Sequence, residues 1–64
     1  MNNTNLTHDL KDQRFLSMRW ERREATNEIV GFDGTTRHHY SFKSRKKMNQ
    51  DWQTLQVLKK KMQP

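Results

Sequence analysis

The chain has 64 residues, of which 30% are hydrophobic, and 13 Lys and Arg against 7 Asp and Glu give a net charge of +6. That permits one small domain with a thin apolar core, and a buried multi-residue catalytic cleft is not expected in it. There is no cysteine, which excludes disulfide scaffolds, cysteine-ligated zinc and cysteine nucleophiles. The longest apolar run, Ile29-Val30-Gly31-Phe32, is too short for a membrane span or a signal-peptide core, so a cytoplasmic protein without membrane contact is expected.

Residues 1–13 are polar. Leu6 and Leu10 stand four apart and Thr7 is a helix-capping residue type, so this segment reads as a flexible arm or a short helix. Residues 14–64 read as a single small α+β domain.

From Arg14 to Arg23, Leu16, Met18 and Trp20 alternate with Ser17, Arg19 and Glu21, the pattern of a half-buried strand over 14–23. Glu24–Asn27 then reads as a turn, and residues 28–32 as a second strand. Asp33-Gly34 between two strand-like runs signals a tight type I′ hairpin, because glycine accepts the positive φ that turn requires. The third strand covers 35–42.

A two-residue turn would oppose Phe32 to Thr35, Val30 to Arg37, Ile29 to His38 and Asn27 to Tyr40. One sheet face then carries Ile29, His38, Tyr40 and Phe42, and the other Val30, Phe32, Thr35, Arg37, His39 and Ser41. Ser44 is a good N-cap for a helix over 45–62, whose apolar stripe is Met48, Trp52, Leu55, Leu58 and Met62. Pro64 would stop it. The expected fold is therefore a three-stranded antiparallel sheet packed on one C-terminal helix, with Trp52 and Trp20 in the core.

Charge is unevenly spread. Residues 35–64 hold eight Lys and Arg against one acid, Asp51, whereas residues 1–34 are close to neutral. A small chain with one basic half suits a polyanionic partner. Lys43, Arg45, Lys46 and Lys47 surround the expected helix start. Three cations in a first turn oppose the helix dipole, and together with its free amides they suit phosphate. The plainer alternative is a solvated basic turn.

Arg19, Glu21, Arg37 and His39 project from the face turned away from the helix, with Arg22 and Arg23 at the strand end. Arginines on the outside of a sheet lying in the DNA major groove reach guanine O6 and N7. An ordinary polar surface is the alternative. Val30 and Phe32 fit such a surface poorly, and they suggest thymine methyls or a protein partner.

His38 and His39 point to opposite faces and cannot share a metal easily, so neither metal nor cofactor is expected. No carboxylate pair, phosphate loop or Ser-His-Asp set is present, and catalysis is not expected. A ribonuclease using His39 with Arg37 and Lys43 is the least favoured alternative.

The run Asp33-Gly34-Thr35-Thr36-Arg37-His38-His39-Tyr40-Ser41-Phe42-Lys43-Ser44-Arg45-Lys46-Lys47, continuing to Trp52 and Leu55 with Trp20 upstream, resembles the N-terminal arm-site-binding domain of phage and transposon tyrosine integrases. The resemblance implies a three-stranded sheet in the major groove with a helix behind it. The chain departs from that pattern at Met48-Asn49, where the family usually has Glu-Ala, and the catalytic domain attached in that family is not expected here. A free-standing phage or mobile-element relative is implied, and no integrase activity.

The favoured reading is a small regulatory or architectural nucleic-acid-binding protein, with duplex DNA ahead of RNA. The alternative is an inhibitor or adaptor that docks an acidic protein through Val30 and Phe32. A homodimer through Val57, Leu58 and Met62 would be one way to stabilise so thin a domain.

Overall fold

The computed structural model describes residues 6–62, so the first five residues of the expected arm and the stop at Pro64 lie outside it. In chain order the elements are α1 (Leu6–Asp9), α2 (Gln13–Leu16), β1 (Arg19–Arg23), β2 (Glu28–Phe32), β3 (Arg37–Ser41) and α3 (Arg45–Met62). The strands form an antiparallel meander in the order β1-β2-β3. The helices cover one face of it, which makes the expected α+β arrangement.

Residues 14–16 are helical, not extended as the alternation suggested. Asp12 caps α2 by accepting the Arg14 N–H at 2.9 Å, and the Ser17 hydroxyl donates to the Arg14 carbonyl at 3.0 Å. Leu16 and Met18 are still buried, so the apolar alternation is satisfied by a helical turn leading into a short strand.

Two residues of the N-terminal segment belong to the core. Leu6 and Leu10 are buried, and the Tyr40 hydroxyl donates to Asp9 Oδ2 at 2.7 Å. A four-residue helix has no stability of its own. This tertiary anchor supplies it. Burial, helped by the Asp9 carboxylate, pushes the Tyr40 hydroxyl well above the ordinary tyrosine pKa.

The β2–β3 register is displaced by two residues from the expected one. Ile29 opposes Tyr40, Val30 opposes His39 and Phe32 opposes Arg37. The loop is four residues, Asp33–Thr36, with Gly34 at φ 98°. Asp33 Oδ1 accepts both the Thr35 and Thr36 N–H groups, at 2.8 and 2.7 Å. Such an Asx-type loop replaces the two-residue turn. These two bonds, with His38 adding to them, hold the Asp33 carboxyl down at about 2. A shift of two preserves the alternation, so the face assignments stand.

The core comprises Leu6, Leu10, Leu16, Ile29, Tyr40, Phe42, Met48 and Leu55, with Trp20, Trp52 and Leu58 packed against it. Trp20 donates its indole N–H to the Phe15 carbonyl at 3.0 Å and lies over Gly31. A Cβ on Gly31 would sit 2.6 Å from the Trp20 ring and 2.8 Å from Met18. Gly31→Ala is therefore expected to destabilise the fold by about 1–3 kcal/mol, a large share for so small a domain. Urea denaturation checks it, and an unchanged midpoint would be inconsistent with this packing.

Candidate nucleic-acid interface

Because β1 and β3 both pair with β2, the residues of each strand line up in rows across the sheet. On the outer face the rows are Arg19–Phe32–Arg37, Glu21–Val30–His39 and Arg23–Glu28–Ser41. An exposed phenylalanine thus sits between two arginines. The Arg37 guanidinium lies 5.9 Å from the Phe32 ring centre. A shallow depression of about 280 Å³ is lined by Arg19, Glu21, Arg23, Val30, Phe32 and Arg37.

Arg19, Arg37 and His39, expected on the outer face, and Arg23, expected at the strand end, are thereby brought together. Arg23 is partly engaged with Glu21, at 3.8 Å. Arg22 is not among them. It shares the inner face with Trp20, donates to Asn49 Oδ1 at 3.1 Å, and lies 5.4 Å over the Trp52 ring. It joins sheet to helix.

Val30 is buried although it faces outward, because the side chains around it close over it. The expected Val30–Phe32 protein-docking patch is thus reduced to Phe32, which is 38% exposed. His38 is turned inward, with its ring 5.2 Å from Phe15 and Nε2 3.2 Å from Asp33 Oδ2.

Ser44 caps α3 as expected, its hydroxyl accepting the Lys47 N–H at 3.1 Å. Lys43, Arg45, Lys46 and Lys47 are all exposed. Lys47, however, donates from Nζ to Asp51 Oδ1 at 3.0 Å. Asp51 is 3% exposed, and its Oδ2 has no hydrogen-bond partner among the described residues. Lys47 is thus the counter-ion of a buried carboxylate before it is a phosphate ligand. The spacing of four between Lys47 and Asp51 was the one sequence signal for this pair.

The expected dimer seam does not form a single patch. Leu58 packs on the core, whereas Val57 and Met62 are exposed roughly 140° apart around the helix. Among the described residues no cluster of His, Asp or Glu is arranged to hold a metal, and no helix is long and apolar enough to cross a membrane. No protein-family model matches the chain, and neither a curated protein nor a solved structure matches it.

Lys47→Ala leaves the Asp51 carboxylate buried without its counter-charge, and it is expected to destabilise by about 1–3 kcal/mol. Replacing the pair together, Lys47→Ala with Asp51→Leu, should recover most of that loss, since an apolar side chain suits the buried position. Thermal denaturation of both variants decides it. Equal stability of Lys47→Ala and the parent would show the ion pair to be idle.

Proposed function

We propose that the protein is a small DNA-binding protein with a regulatory or architectural role, and without catalysis. The observation that carries this reading is the Arg19–Phe32–Arg37 row, with His39 beside it, on a sheet face that the core does not use. Two guanidiniums flanking an apolar ring suit a groove floor, with arginine meeting guanine O6/N7 and phenylalanine meeting a thymine methyl. Lys43 and Arg45, with no ion-pair partner among the described residues, stand at the β3–α3 junction where they would anchor backbone phosphate. The order of three strands and a helix, with the Asp33-Gly34 turn, supports the same reading through its resemblance to arm-site-binding domains.

The test is titration of one preferred and one scrambled duplex at several salt concentrations. Lys43→Ala with Arg45→Ala should weaken both duplexes alike and lower the slope of log K against log salt by about two. Arg37→Ala should instead reduce discrimination between the duplexes, by about 1–3 kcal/mol at one base pair. Absence of binding to duplex DNA, or binding insensitive to salt, would contradict the reading and favour a protein partner.

A further inference from the structure

We infer that the solvent face of α3 is a second duplex-docking surface, so that one protein molecule bridges two DNA segments. The inference rests on the DNA-binding reading above and extends it to the opposite side of the molecule.

Charge placement is the first ground. The outer sheet face sets Arg19, Arg23 and Arg37 against Glu21 and Glu28, so it is only slightly positive. Helix α3 carries Arg45, Lys46, Lys47, Lys59, Lys60 and Lys61 against the buried Asp51 alone. The long-range attraction for a polyanion is therefore strongest on the helix layer, not on the sheet.

The second ground is the pattern of the exposed stripe. Lys46, Gln50, Gln53, Val57 and Lys60 recur at spacings of four, three, four and three, and all are exposed. They lie opposite Met48, Asp51 and Leu55, which are buried against the sheet. The stripe has a lysine at each end, two glutamines and Val57 between them and no carboxylate. Solvated helix faces commonly mix both signs of charge, and this one does not. Lys46 and Lys60 are separated by roughly 21 Å along the axis at 1.5 Å per residue. That span exceeds the roughly 12 Å width of the major groove, so a helix laid across the groove sets each lysine at the phosphates of a different strand. The glutamines between them carry the donor and acceptor that meet adenine N6 and N7.

The third ground is layer geometry. α3 covers the inner face of the sheet, so its solvent stripe and the Arg19–Phe32–Arg37 row point away from each other. A single straight duplex cannot contact both. Two duplex segments can, one on each side.

The experiment immobilises a biotinylated duplex on beads and measures capture of a second, fluorescent duplex. The parent protein should capture it. Lys46→Glu with Lys60→Glu should lower capture by about tenfold or more, while one duplex is still held by the intact sheet face. Arg19→Ala with Arg37→Ala should lower capture from the other side. Circular dichroism confirms that both variants are folded, and sedimentation of the protein alone should give a monomer. Binding to one duplex without capture of a second, capture indifferent to the α3 changes, or capture by a sedimenting dimer would each overturn the bridge while leaving the DNA-binding reading in place. Absence of any duplex binding would overturn both.

Discussion

A tryptophan ring can settle directly over a neighbouring strand where the residue beneath it has no side chain. Trp20 over Gly31 is that arrangement, and the rest of the molecule depends on it. The ring occupies the space a Gly31 Cβ would need, and its N–H is held by the Phe15 carbonyl. Its other neighbour is Tyr40, 5.8 Å away between ring centres. With Trp20 fixed inward, strand alternation turns Arg19, Glu21 and Arg23 outward. The outer face therefore follows from one packing contact on the inner face.

The same economy explains the N-terminal helices. Three five-residue strands and one helix bury few apolar side chains by themselves. Leu6, Leu10 and Leu16 complete the core, and the Tyr40–Asp9 bond, of the kind worth about 1.5–3 kcal/mol, ties α1 to β3. Because the helices gather on one side, the outer sheet face is left free of any folding role apart from covering Val30. The proposed binding surface occupies that free face.

The order of the three strands and α3, the sheet faces and most of the α3 stripe were legible from apolar periodicity and from Ser44 as a cap. The Asp33-Gly34 hairpin was legible as a hairpin but not in its loop length. The choice between two and four residues was made by the Asp33 carboxylate bonding Thr35 and Thr36, which any Asp-Gly pair leaves open. Three features were hidden because they arise from tertiary contact: the helical turn at 13–16, the inward position of Arg22 over Trp52, and the burial of Val30. Of the candidate site, Arg19, Arg23, Arg37 and His39 followed from alternation once the strands were placed. The Lys47–Asp51 pair was not foreseen, because the burial of Asp51 depends on how α3 seats on the sheet. Asp51 is otherwise a surface-type residue on a polar helix.

The central claim is that the outer arginines meet DNA while Arg22 ties the sheet to the helix. It is tested most directly by following side-chain ¹⁵N–¹H resonances during titration of a duplex at low salt. The Nε–H signals of Arg19 and Arg37 should shift, and those of Arg22 Nε and Trp20 Nε1 should stay in place. Movement of Arg22 and Trp20 with Arg19 and Arg37 unmoved would contradict it.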